Sequence, residues 1–130
     1  MPEKRTLERA RRDRREGKSP TTQAGEFVRE EIHHVREGKH GARSAKQAIA
    51  IGLSKARRAG VKLPPPKKGS TSARTRRGAI SAYRAGQHGK RTTSARRARA
   101  TERALKREPR RAASRTALSR QAKTSARRAA

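Results

Sequence analysis

The chain has 130 residues, of which 38 are Lys or Arg and 10 are Asp or Glu, giving a formal net charge of +28 and a pI near 12.0. Leu, Ile, Val and Phe together number only 13, while 23 Ala supply most of the apolar count. So lean and charged a chain does not fill a 130-residue core or wall a buried catalytic cleft, and no apolar run is long enough to span a bilayer.

There is no cysteine, so disulfides, thiolate zinc sites and Cys nucleophiles are excluded. A secreted domain with this little core would usually carry staples, so the expected home is intracellular. Met1 to Gly17 has no apolar stretch of the secretory kind. It is Arg-rich like a mitochondrial presequence, but Glu3, Glu8, Asp13 and Glu16 argue against one.

Residues 6–16 are good helix formers but offer only Leu7 and Ala10 as apolar contacts, which predicts a frayed, solvated helix ended by Gly17-Lys18-Ser19-Pro20. A second helix follows, capped within Ser19 to Thr22 and stopped by Gly38. Ala24, Phe27, Val28, Glu31, Ile32 and Val35 form one stripe about 140° wide. Glu31 is the anomaly in that stripe. Leaning to its edge or pairing with a base from the partner helix is favoured over a functional carboxylate.

Ser44-Ala45-Lys46-Gln47 reads as a capping box opening a third helix, with Gly60 as its stop and Arg57 and Arg58 in its last turn. Its stripe of Ala45, Ala48, Ile49, Gly52, Leu53, Ala56 and Ala59 is small and smooth, suited to close approach by the bulkier stripe bearing Phe27. The short loop from Gly38 to Arg43 suits antiparallel neighbours, so residues 21–63 are expected to form a helical hairpin. A core of that size rarely supplies more than ~3–5 kcal/mol. Ile51, Val61 and Leu63 lie off the stripe, as a cover for the hairpin or as a dimer contact.

Pro64-Pro65-Pro66 then stops any helix. Ser72 to Ala85 can hold a short helix with Ile80 and Tyr83 on one side, interrupted by Gly78. From Thr92 the sequence is low in complexity. Thr71-Ser72-Ala73-Arg74, Thr93-Ser94-Ala95-Arg96-Arg97 and Thr124-Ser125-Ala126-Arg127-Arg128 each read as a helix cap and a basic first turn. With cationic neighbours repelling and no apolar stripe to dock, residues 94–107 and 112–128 are expected to be disordered when free and helical when phosphates screen the charge, with Pro109 between them.

The expected fold class is all-α, a small helical hairpin with largely disordered or conditionally helical basic N- and C-terminal segments. The organisation is an N-terminal arm over 1–20, the hairpin over 21–63, a Pro/Gly-rich linker over 64–91 and an Ala/Arg-rich tail over 92–130.

The charge is unevenly placed. Residues 1–40 are nearly balanced at +3, whereas residues 64–130 carry 21 basic and 2 acidic residues, a net +19. Such an excess seeks a polyanion, and nucleic acid is the abundant one. Arg outnumbers Lys 27 to 11 and suits phosphate forks and narrow minor grooves, although GC-rich coding also enriches Arg. The candidate phosphate contacts are Arg57, Arg58, Lys67, Lys68, Arg74, Arg76, Arg77, Lys90, Arg91, Arg96, Arg97, Arg99, Arg103, Arg110, Arg111, Arg115, Arg127 and Arg128.

No nucleotide-binding loop, nucleophile elbow or H-E-x-x-H motif is present, so the reading is non-enzymatic, with no cofactor. His33, His34 and His40 are the only cluster with ligand chemistry, and solvated side chains are the favoured account, with no metal expected. Phe27 and Tyr83 are the only aromatics, too few for base stacking on single strands. The hairpin resembles a helix-turn-helix loosely. Its turn is long and Gln47 is nearly alone as a base reader, so a structural or oligomerising hairpin is preferred.

The segments "GEFVREEIHHVREGKHG" and "SAKQAIAIGLSKARRAGVKLPPP", above all Lys46 to Ser54, resemble a family of small basic bacterial proteins that carries a domain of unknown function, over roughly residues 1–90. The resemblance brings no residue-level roles. Residues 92–130 look like the tails of linker-histone-like and bacterial histone-like proteins, with Arg in place of the usual Lys, which implies DNA compaction by analogy. The expectation is a histone-like, nucleoid-associated protein that binds DNA without sequence specificity in the cytoplasm, without a membrane partner, with the hairpin as a homodimer contact. The alternatives are a ribosome- or RNA-associated protein, or a protein-binding adaptor using Ile51, Val61 and Leu63.

Overall fold

A computed structural model describes residues 2–89 and 94–129. They are all-helical: α1 (Lys4–Arg15), α2 (Pro20–Arg36), α3 (Ala45–Arg58), α4 (Ala73–His88), α5 (Ala95–Lys106), a single 3-10 turn (Arg111–Ala113) and α6 (Arg115–Ala129), with no strand among the described residues. The helix limits follow local chemistry. Pro20 opens α2, where a missing N–H costs nothing, and the Ser19 hydroxyl accepts from the Thr22 amide. Ser44 Oγ accepts from the Gln47 amide, while Gln47 Oε1 reaches back to the Arg43 amide at 2.6 Å.

Gly38 and Gly60 close α2 and α3 with φ of 79° and 101°. In both turns the glycine amide and the one after it donate back into the last helical turn, to Val35 and His34 at one end and to Arg57 and Ala56 at the other. Only glycine takes that left-handed position without strain.

The chain divides into two compact units, the boundaries falling within α2 and within α3. The first comprises Met1–Glu30 and Ile51–Thr92. Its core joins Ala10, Ala24, Phe27, Ala56 and Val61, with Leu7, Leu53 and Leu63 packed at the margin. The solvated helix expected at the N-terminus is therefore corrected: α1 buries Thr6, Ala10 and Asp13. The propensity of α1 is unremarkable, but Leu7 and Ala10, one turn apart, join the apolar cluster that holds Phe27. Glu30, itself buried, accepts from the Glu3 amide at 2.5 Å and the Thr6 hydroxyl at 3.1 Å, so a carboxylate stands at the positive end of α1. Val61 is a core residue at 7% exposure, which removes it from any exposed adaptor or dimer contact.

Two backbones come very close in this unit. A Cβ on Gly52 would lie 2.6 Å from Val28 Cα, so the smooth stripe of α3 does receive α2. A Cβ on Gly86 would collide with the Arg57 carbonyl, which puts α4 against the end of α3. The helix α4 runs unbroken through Gly78 and buries Ala79 and Ala82, leaving Ile80 and Tyr83 half-buried. The proline segment is strapped down by arginines: Arg57 donates to the Leu63 and Pro64 carbonyls, and Arg76 to that of Pro66. Prolines have no N–H to engage their own neighbours, so these carbonyls are available to side-chain donors.

The second unit comprises Glu31–Ala50 and Thr93–Ala130. Its core is Val35, Ala42, Ala48, Ala112 and Ala113, with Ile32 alongside. The expected disorder of the C-terminal segment is corrected here. Ala112 and Ala113, from the low-complexity tail, are 5% and 0% exposed. Small residues pack without an apolar stripe when backbones approach closely, and they do: the Gly41 and Ala42 amides donate to the Leu105 and Pro109 carbonyls. A Cβ on Gly41 would strike the Glu108 carbonyl. Two arginines then clamp the unit, Arg36 Nε donating to the Ala113 carbonyl at 2.8 Å and Arg110 donating to the carbonyl of Arg36.

Of the three Thr-Ser-Ala-Arg repeats, the first two are caps. Ser72 accepts from the Thr75 amide and Ser94 from the Arg97 amide. The third is not: Ser125 lies inside α6, and Ser114 caps that helix instead.

Candidate nucleic-acid interface

The cations expected to meet phosphate fall into three structural groups. Arg58, Lys67, Lys68, Arg74, Arg77, Arg96, Arg97, Arg99, Arg103, Arg111, Arg115, Arg127 and Arg128 are exposed. Arg57, Arg76 and Arg110 are engaged by backbone carbonyls. Lys90 and Arg91 lie outside the described residues. Arg57 is buried at 7% exposure, and burial lowers its guanidinium pKa, though a guanidinium stays charged at neutral pH. It ties the turn after α3 rather than facing solvent.

The helix α5 buries no residue. Arg96, Arg99 and Arg103 share one face of it and Arg97 stands apart, all four exposed, with Glu102 as the one acid in its span. The pair Glu102–Lys106, 3.4 Å apart at i,i+4, is present as the spacing predicts. The cationic face lies opposite a side of Ala98, Ala104 and the half-buried Leu105, and it is open to solvent.

The second unit also contains an open groove of about 420 Å³ between the start of α3 and the start of α6. Arg43, Lys46, Arg111 and Arg120 line it together with Gln121 and Thr124, and no Asp or Glu among the described residues does. Of these cations only Arg111 is among the phosphate contacts expected from sequence. Arg43 and Lys46 sit beside the Ser44 cap, and Arg120, Gln121 and Thr124 share one face of α6. That face repeats at helical spacing, and reading α6 as a helix rather than a flexible tail would have grouped them. Four cations lining a groove without an acid, at two helix starts where backbone amides bear partial positive charge, make a site suited to anions.

Of the notable polar residues, His33 is on the solvent side and lies 2.6 Å from Glu37. Glu31 is fully buried, and one of its partners is on the loop: His40 Nε2 is 2.7 Å from its carboxylate. Among the described residues no helix is long and apolar enough to cross a membrane.

No curated protein and no solved structure matches the chain significantly. The model of a family of unknown function, DUF6496, matches residues 3–68, from the start of α1 to just past the three prolines. That stretch holds the Lys46 to Ser54 segment and the Gly52 contact, while the basic α5 and α6 lie beyond it. The chain belongs to this family of unknown function, DUF6496.

Proposed function

We propose that this is a non-sequence-specific DNA-binding protein of the histone-like, nucleoid-associated kind, acting by neutralising backbone phosphate. One observation carries the reading: the exposed cations of α5 and of the groove beside α6 stand almost without acidic neighbours. A surface of that kind repels itself and gains free energy when phosphates displace its counterions. Of the Asn and Gln side chains that read adenine, α5 has none and the groove has Gln121 alone among the described residues, which favours backbone contact over sequence readout.

The test is the salt dependence of duplex binding by the full chain. Deleting residues 64–130 would be uninformative, because Ala112 and Ala113 belong to a core. Charge substitution on α5 leaves the packing intact. Arg96, Arg97, Arg99 and Arg103 changed together to Gln should flatten the log K against log[salt] slope by up to ~3–4, at about 0.9 for each phosphate no longer neutralised. An unchanged slope, or binding indifferent to salt in the parent chain, refutes the reading. Stronger binding to structured RNA than to duplex DNA at equal salt transfers it to RNA.

A further inference from the structure

Glu31, His34 and His40 are absorbed by none of the above. Glu31 and His34 are one turn apart at i,i+3 near the end of α2, and therefore share a face. His40 comes from the loop that follows. One ligand-type atom from each residue lies within 4.8 Å of the other two. The His34 and His40 rings are edge-on, with centroids 6.4 Å apart. The carboxylate is fully buried and the His40 side chain is 14% exposed, so the cluster is largely withdrawn from water. All three residues belong to the second unit.

The orientation of His40 is informative. Its Nδ1 is 2.8 Å from the Gly41 carbonyl, which can only accept, so Nδ1 carries a proton. That leaves Nε2 as the atom directed at Glu31, 2.7 Å away. A histidine that donates its other N–H to a backbone carbonyl has the orienting partner characteristic of metal-bound imidazoles. The carbonyl itself is fixed, because Gly41 is wedged against the Glu108 backbone and its amide donates to Leu105.

We propose that Glu31, His34 and His40 bind one divalent first-row transition ion of the zinc type, through two imidazoles and one carboxylate. Two imidazoles and a carboxylate leave a fourth tetrahedral position for water or a partner's donor. The metal takes the place of the proton between Glu31 and His40. It would also link the end of α2 to the following loop, which contacts the α5 turn through Gly41 and Ala42. The competing account is a proton-bridged buried pair alone, and it makes the opposite prediction for metal.

A +28 chain repels divalent cations from its surface, so stoichiometric uptake points to a built site. The experiment uses the full chain, stripped of nucleic acid at high salt, and titrates it with Co²⁺ and with Zn²⁺. The expected result is one Co²⁺ per chain with the visible absorption of a low-symmetry, four-coordinate ion, displaced by Zn²⁺. His34→Ala keeps the Glu31–His40 pair and should keep its helicity by circular dichroism, yet lose at least tenfold in affinity. His33→Ala, on the solvent side of the same helix, should bind like the parent. Absence of stoichiometric uptake by the parent overturns the proposal and leaves the proton-bridged pair. Equal affinity in His34→Ala and His33→Ala overturns it as well.

Discussion

Exchanging glycine for alanine should have opposite signs at two kinds of helical position in this protein. In α3, a Cβ on Gly52 would lie 2.6 Å from Val28 Cα and 3.0 Å from both Val28 N and Cγ2. Ordinary carbon contacts are about 3.5–4.0 Å, so α2 and α3 must part by roughly 1 Å where they cross. Two of the three atoms are backbone and cannot rotate aside. Overpacking of this kind costs ~1–3 kcal/mol, partly offset by the ~1 kcal/mol that Ala gains over Gly in a helix. The net expectation for Gly52→Ala is a destabilisation of up to about 2 kcal/mol. A Cβ on Gly25 or Gly78 meets nothing within 4 Å, and both are exposed in helices. Gly25→Ala and Gly78→Ala should therefore each stabilise by about 0.5–1 kcal/mol. Urea or thermal unfolding at fixed salt, followed by far-UV circular dichroism, measures both signs. For a chain of this size ~1 kcal/mol corresponds to roughly 3–5 °C in Tm. Gly52→Ala as stabilising as Gly25→Ala would refute the close crossing of α2 and α3, and a damaging Gly78→Ala would refute the open space beside that turn of α4.

Four further outcomes follow from the same contacts. Phe27→Ala should cost ~3–5 kcal/mol, enough to unfold the first unit, since Phe27 is its largest fully buried side chain; retention of α1 protection in hydrogen exchange would contradict this. Arg57→Gln should lower stability by about 1–2 kcal/mol through the Leu63 and Pro64 carbonyls while leaving the DNA salt slope unchanged, and a flattened slope would show Arg57 meeting phosphate after all. Melting temperature should rise with ionic strength as the +28 self-repulsion is screened, and a fall with salt would mean that specific ion pairs dominate. Glu16 and then Asp13 raise the Lys18 pKa above 10.5, so any stabilisation from that charge is intact below pH 10.5 and lost as pH climbs through the raised value. The difference in Tm between the parent and Lys18→Met should close over that alkaline window, and a gap that persists beyond it would assign the effect to packing.

The sequence by itself determined the limits of α2 and α3. The Ser44–Gln47 box, the Gly38 and Gly60 stops and the apolar stripes are local signals, written within one or two helical turns of where they act. The concentration of charge was equally legible, because net charge needs no geometry. Only the tertiary structure decided what the low-complexity segments do. Ala112 and Ala113 have no stripe around them, and their burial arises from close backbone approach at Gly41 and from the Arg36 and Arg110 clamp, which joins residues more than 70 positions apart. Alanine carries too little hydrophobic signal to announce such a contact in advance. The same holds for arginine, where one side chain serves two ends: sequence cannot tell Arg57, spent on carbonyls, from Arg58, exposed beside it. A guanidinium satisfies a carbonyl or a phosphate with the same donors, and only the fold fixes which acceptor is within reach.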